Sequence, residues 1–192
     1  MSRRSRSLLF AAIAVALAAA VWLDRTTPVH RRGRHDDFAR YHGKVFTVVR
    51  VIDGDTLDID VPDGRGSSTR VRLWGVDTPE HDAYFGPQAA DFTRKLAQGK
   101  KITIHLDQDN RTRGKYGRLL AYVQLPDGAF LNELLLTEGY AYADLRFRHS
   151  FYNRYRQLES RARRNRTGLW KHVTRDRLPA WLQRERPDLL AK

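Results

Sequence analysis

Lys44-Val45-Phe46-Thr47-Val48-Val49-Arg50-Val51-Ile52-Asp53-Gly54-Asp55-Thr56-Leu57-Asp58-Ile59-Asp60 is rich in Val, Ile and Thr and is broken at Asp53-Gly54. β-Branched residues fit a pleated surface and Asp-Gly is a strong turn signal, so the stretch predicts two strands joined at a turn or sharp bend. Working outward, Pro62-Asp63-Gly64-Arg65-Gly66 supplies a second turn and residues 69–76 a third strand. Residues 101–106 alternate with Ile102, Ile104 and Leu106 on one side, and 119–125 form a fifth strand closed by Pro126-Asp127-Gly128. Residues 87–97 predict a helix with Pro near its start, Ala89, Phe92 and Leu96 on one face, and Gly99 just past its end. Residues 132–138 predict a short helix stopped by Gly139, and 150–165 a very basic one with an apolar stripe of Phe151, Tyr155, Leu158 and Ala162. Five short strands with helices appended predict an α+β fold, mainly β. The expected form is a five-stranded barrel of the oligonucleotide/oligosaccharide-binding type with three helices, not a doubly wound sheet.

The same strands carry the chemistry. Ile52-Asp53-Gly54-Asp55-Thr56 and Arg72-Leu73-Trp74-Gly75-Val76-Asp77-Thr78-Pro79-Glu80 place carboxylates and an arginine on neighbouring strands, and Arg118 follows in Lys115-Tyr116-Gly117-Arg118. Asp55 and Asp77 each end or interrupt a β-like run, where side chains can converge at a barrel rim. Oxygen ligands suit a hard cation, Ca²⁺ or Mg²⁺, and without cysteine or a spaced histidine pair zinc is disfavoured. Either acidic motif alone reads equally as a turn or helix opening. Arg72, among Val71, Leu73 and Val76, needs an anion: an internal carboxylate, or a phosphate that it can grip with two parallel hydrogen bonds. Tyr116 beside basic residues is placed to stack on a base, although such a loop is also an ordinary solvated hairpin. The seven histidines are scattered, so a hydrolytic base is expected to be a carboxylate, with Glu80 placed for it.

Charge and hydropathy divide the 192-residue chain. Residues 1–40 hold eight Lys/Arg against three Asp/Glu, 161–192 ten against three, and 41–160 seventeen against sixteen. The net charge of +13 therefore lies in the ends, and phosphate recognition in the middle must rest on a few placed arginines. Arg3, Arg4 and Arg6 precede an apolar run at 8–23, the layout of a signal sequence or signal anchor. Sixteen helical residues span about 24 Å, short of a ~30 Å hydrocarbon core. Ala18-Ala19-Ala20 fits a cleavage site, whereas Trp22 and Leu23 suit an interfacial membrane anchor, the reading favoured here. The expected organisation is a signal peptide or anchor at 1–24, a polar basic linker at 25–40, the barrel domain at 41–170, and a basic tail at 171–192 with a brief helix around Trp181-Leu182. The domain is expected to be exported. The tail reads either as a solvated surface or as a nucleic-acid attractor.

Residues 41–170 resemble the staphylococcal nuclease family, the thermonucleases. The resemblance runs through Ile-Asp-Gly-Asp-Thr, Arg-Leu-x-x-Val-Asp-Thr-Pro-Glu, Tyr-x-Gly-Pro, Thr-Arg-Lys, Lys-Tyr-Gly-Arg-x-Leu-Ala-Tyr, Leu-Asn-Glu-Leu and Gly-Leu-Trp. It implies the five-stranded barrel with three helices and a calcium-dependent nuclease acting on DNA and RNA, leaving 5′-hydroxyl and 3′-phosphate ends. The family's calcium carboxylates fall on Asp55 and Asp77, its calcium-binding carbonyl on Thr78, its general base on Glu80, and its phosphate-binding arginines on Arg72 and Arg118. Lys115 and Tyr116 match its substrate-binding residues. The tyrosine pair that lines the prototype's nucleotide pocket falls on Leu145 and Phe147, a departure that bears on nucleotide affinity; nearby Tyr140 and Tyr142 read as core packing. The competing class, a binding module without catalysis, occurs on this fold when the acidic and arginine residues are lost, and this chain keeps them.

Overall fold

Turn chemistry breaks the first stretch where Asp53-Gly54 predicts. A computed structural model describes residues 36–64, 66–187, 189 and 190, so the apolar run at 8–23 lies outside the described residues. The chain divides into two compact units, residues 1–40 and 41–192. Of the first, 36–40 are helical where a linker was expected; Ala39 and Arg40 are good helix formers. Among the described residues, no helix is long and apolar enough to cross a membrane.

In the second unit, β1 (Lys44–Val51), β2 (Thr56–Ile59), β3 (Thr69–Leu73), β5 (Lys101–His105) and β6 (Leu119–Gln124) close a barrel in the order β1-β2-β3-β6-β5. β1 closes it by serving two neighbours: Lys44–Thr47 pair with β5, and Val48–Val51 pair with β2 across a register shift between Val48 and Arg50. Such a bulge sharpens the bend that closure requires. Val48, Leu57, Ile59, Val71, Leu73, Ile104, Leu119 and Val123 fill the interior and are fully buried. The barrel and its helices follow the predicted pattern.

The third predicted strand does not run through to residue 76. It stops at Leu73, the chain turns at Gly75 (φ +77°), and Val76–Asp77 form a separate strand, β4, paired with β7 (Tyr142–Ala143). A Cβ on Gly75 would stand 2.5 Å from the His149 ring, so backbone conformation and close packing both require glycine here. The turn folds Asp77 back over β3.

Three main helices cover the barrel: α1 (Gly86–Ala97), α2 (Leu131–Thr137) and α3 (Tyr152–Arg164). On α1 the buried face is Ala89, Ala90, Thr93 and Ala97; Phe92, expected to point inward, is half-buried and stacks on Tyr140 at 4.2 Å. Fully buried Asn132 ties α2 to the barrel, accepting from the Val123 N–H at 3.0 Å and donating to the Trp74 carbonyl at 3.0 Å.

The C-terminal segment is part of the domain. The expected boundary at 170 marks a change in composition, whereas the compact unit continues to its end. Residues 180–185 form the predicted brief helix, α4 (Ala180–Glu185). Leu178, Leu182 and Leu189 are buried with Tyr142, Ala162, Leu169 and Trp170 in a second core. Arg186 reaches fully buried Glu159 of α3 at 2.6 Å. A basic composition hid three leucines at packing positions.

Candidate active site

β2 and β3 set the site through their register. Thr56 lies opposite Arg72, so Asp55, at the head of β2, comes beside the Arg72 side chain. The bend before it is held by the Asp53 carboxylate, which accepts the Asp55 N–H at 3.0 Å, and by the Thr93 hydroxyl of α1, which donates to the Gly54 carbonyl at 2.6 Å. Asp55 is 2% exposed. Its Oδ2 accepts from the Thr78 N–H at 2.8 Å and the Thr78 hydroxyl at 3.1 Å, and its Oδ1 from the Thr56 hydroxyl at 3.0 Å.

Arg72 joins the two carboxylates. Its Nη1 pairs with Asp55 Oδ1, and its Nη2 donates to Asp77 Oδ1 at 2.5 Å and to the Val76 carbonyl at 3.3 Å. The other oxygen of Asp77 accepts from the indole N–H of Trp181 at 2.7 Å. Glu80 follows on an exposed turn, its carbonyl accepting the Ala83 N–H at 2.9 Å. Contrast Asp58, 2% exposed and gripped by Arg50 at 2.8 Å and Arg70 at 2.9 Å. Burial raises the Asp58 pKa, but the Arg70 and Arg50 hydrogen bonds outweigh it and hold the group below its usual range. These contacts tie β1, β2 and β3 together.

Arg118 shares a cavity of about 180 Å³ with Arg72, walled by Trp74, Lys115, Arg146 and Phe147. The Arg118 Nε is buried without a hydrogen-bond partner. Phe147 stacks on Trp74 at 5.8 Å, with the Arg111 guanidinium 5.4 Å from its ring. Of the two positions expected to replace the tyrosine pair, Phe147 lines this cavity and Leu145 does not. Tyr116, 82% exposed, lies beneath the Lys115 ammonium at 4.9 Å on a turn with positive φ. It faces the other side of the loop, towards a depression of about 640 Å³ that also touches Arg118. Asp77, Thr78 and Glu80 open instead on a cavity of about 400 Å³ walled by the C-terminal segment.

The structure thus brings Asp55, Arg72, Asp77 and Thr78 into direct contact, sets Arg118 in the cavity that Arg72 lines, and leaves Glu80 and Tyr116 at the rims. Sequence reasoning missed Trp181 and Arg146. Trp181 lies 104 residues from the carboxylate it binds, beyond any local motif; Arg146, 4.0 Å from the Trp181 ring, carried no signal beyond its charge. Among the described residues, no three His, Asp or Glu side chains cluster as a closed metal cage. The two carboxylates that converge on Arg72 beside the Thr78 backbone carry only oxygen donors, the type a hard cation takes, and in this structure Arg72, Trp181, Thr56 and Thr78 donate to those oxygens.

The chain is thus a small closed barrel with carboxylates and arginines brought together beside two of its strands. The family described as "Staphylococcal nuclease homologue" matches residues 70–172, and the chain belongs to it. A protein of Escherichia coli O157:H7 named "Uncharacterized endonuclease" is 34% identical over 154 residues, 77% of this chain and 88% of the relative. The thermonuclease of Staphylococcus hyicus is 28% identical over 179 residues, 90% and 100% respectively, and that of Staphylococcus intermedius 37% identical over 142 residues, 67% and 77%. The protein is a nuclease.

Proposed function

We propose that the chain is a calcium-dependent phosphodiesterase that hydrolyses DNA and RNA to 5′-hydroxyl and 3′-phosphate ends. The observation that supports it most is Arg72 bridging Asp55 and Asp77 at the mouth of the cavity that also holds Arg118. Asp55, Asp77 and the Thr78 carbonyl would hold the ion. Bound there, Ca²⁺ would supply positive charge to neutralise the phosphate. Arg72, anchored by the same carboxylates, sits beside whatever they hold and donates to a phosphoryl oxygen. Arg118, whose Nε lacks a partner, donates to the phosphate from the other side and faces the leaving oxygen. Glu80, on the exposed turn, orients or deprotonates the attacking water. Lys115 and Phe147 line the Arg118 cavity and serve the nucleotide there, while Tyr116 offers an exposed ring for stacking.

Fixed donors aimed at developing charge are worth a factor of about 10²–10³ in rate each, which sets what either arginine contributes. The basic-then-apolar N-terminus supports export, with the chain tethered by its first residues or released after their removal; mass determination of the protein recovered from membranes distinguishes the two.

Digestion of plasmid, single-stranded DNA and RNA by the full chain, with Ca²⁺, with Mg²⁺ and with a chelator, tests the reading. Cutting only with Ca²⁺, lost in Arg72→Ala, and fragments that a kinase labels directly at their 5′ ends are the expected results. Undiminished cutting in chelator removes the metal from the reading, and intact nucleic acid in every condition removes the activity.

A further inference from the structure

The 400 Å³ cavity between the Glu80 turn and residues 176–181 opens from Asp77, Thr78 and Glu80, but the rest of its wall, Tyr84, Tyr142, Arg177 and Trp181, has no part in the chemistry above. Its volume falls in the range of small-molecule sites. It begins at Asp77 and Glu80, beside which the reacting phosphate would lie, and shares no lining residue with the Arg118 cavity. Trp181 divides the two: one side of the indole borders the 400 Å³ cavity, and Arg146, stacked on the ring at 4.0 Å, lines the other.

Its walls define what it accepts. Tyr84 and Trp181 present aromatic surface, and the Arg177 guanidinium lies 4.8 Å from the Tyr84 ring. Tyr142 lines it too, and the Tyr142 hydroxyl is buried without a hydrogen-bond partner. That hydroxyl has essentially no accessible surface, so what Tyr142 adds to the wall is its ring. Asp77, Glu80 and Asp176 face a single Arg177, and this acidic balance disfavours a phosphate deep inside. A flat, neutral group with donors and acceptors on its edge, able to stack on an aromatic ring, meets all of these conditions.

We propose that this cavity is a second nucleotide subsite, which takes the base of the nucleotide adjoining the scissile phosphate on the Glu80 side. The inference rests on the phosphodiesterase reading. It also gives the C-terminal segment a function: residues 176–181 supply one wall, beyond the 70–172 span of the family match.

A twelve-residue single-stranded DNA with one abasic position, digested by the full chain with Ca²⁺ and resolved bond by bond, tests it. The two bonds flanking the abasic residue report the two cavities separately. Base stacking on an aromatic side chain is worth about fivefold or more in binding. Cutting at the bond that places the abasic residue in this subsite is therefore expected to fall at least about fivefold against distant bonds. In Tyr84→Leu and in Arg177→Ala, the latter on an exposed turn, that deficit should shrink below about twofold, while the other flanking bond keeps its pattern. Arg175→Ala removes the same charge from the same turn outside the cavity and should leave the wild-type pattern. A uniform pattern in the wild type, a deficit that neither variant relieves, or equal relief by Arg175→Ala overturns the subsite. An uncut oligonucleotide overturns the phosphodiesterase reading instead.

Discussion

Glu80 and Gly86 show how one side chain's work depends on another residue's lack of one. A Cβ built on Gly86 would lie 1.8 Å from the Glu80 carbonyl oxygen. Backbone meets backbone there, so any substitution must move the turn that carries Glu80. Gly86→Ala is expected to lower kcat on the order of 10²-fold, the usual cost of misplacing a catalytic group by about 1 Å. Ca²⁺ affinity by calorimetry should stay within about twofold, because Asp55 and Asp77 are held by β2 and β4 and not by this turn. Glu80→Ser should show the same split more severely, with the turn left in place. If Gly86→Ala keeps full turnover, Glu80 does not need this position; if either variant loses Ca²⁺ binding, Glu80 belongs with the ligands. Much of this scale was legible in the sequence, since Asp55, Arg72, Asp77, Thr78 and Glu80 lie in two short motifs whose spacing fits adjacent strands. Trp181 was not, because its partner Asp77 is set by the packing of the chain's end.

At the scale of elements, a buried carboxylate does what local propensity does not. Asp107, 4% exposed just after β5, joins three elements. Its Oδ2 accepts from the Tyr122 hydroxyl of β6 at 2.6 Å and from the Ser150 N–H ahead of α3 at 2.8 Å. Its Oδ1 accepts from the Asp109 N–H and the Asn110 amide, both at 3.0 Å. Burial pushes its pKa up, but these hydrogen bonds together outweigh it and bring the group from 3.8 to about 2. A carboxyl held below its unfolded value stabilises the fold fully above that value and loses the contribution as pH falls through the folded one. The expected loss is about 2 kcal/mol, confined to the window between pH 4 and 2. Asp107→Asn turns one acceptor into a donor facing two donors, so it should destabilise the protein at pH 7 by about 1–3 kcal/mol and flatten the acid limb. Urea denaturation from pH 7 to pH 2 measures both; an unchanged acid limb in the variant assigns acid sensitivity elsewhere. No local pattern marked Asp107, and the break at Gly75 fell inside the strand expected over residues 69–76.

At the largest scale, the unit 41–192 is held together by contacts between its C-terminal segment and its middle, and there the sequence was least legible. Strand and helix periods announced the barrel because alternation is local. The same logic made residues 171–192 look like a basic tail, solvated or attracted to nucleic acid, since ten Lys/Arg in 161–192 outweighed a few scattered leucines. Glu159, on a very basic helix, lies off the apolar stripe of the sequence pattern, yet it is fully buried, accepting the Ala143 N–H at 3.0 Å and pairing with Arg186. Removing residues 173–192 would expose the surface that Leu178, Leu182 and Leu189 cover, at about 1.5–3 kcal/mol for each side chain. It would also leave Glu159 buried without its cation, a further cost of about 3 kcal/mol or more. Their sum rivals the 5–15 kcal/mol that holds a typical domain together. The truncated chain is therefore expected to be largely unfolded at 25 °C by circular dichroism, and Arg186→Leu alone to lower Tm while unfolding stays a single transition. A truncated chain with the full chain's Tm would make the segment an appendage, and would leave Trp181 on Asp77 as a contact the barrel does not need. Loss of folding means instead that the segment which walls the 400 Å³ cavity also completes the second core, so that the site and the stability of the molecule share one set of residues.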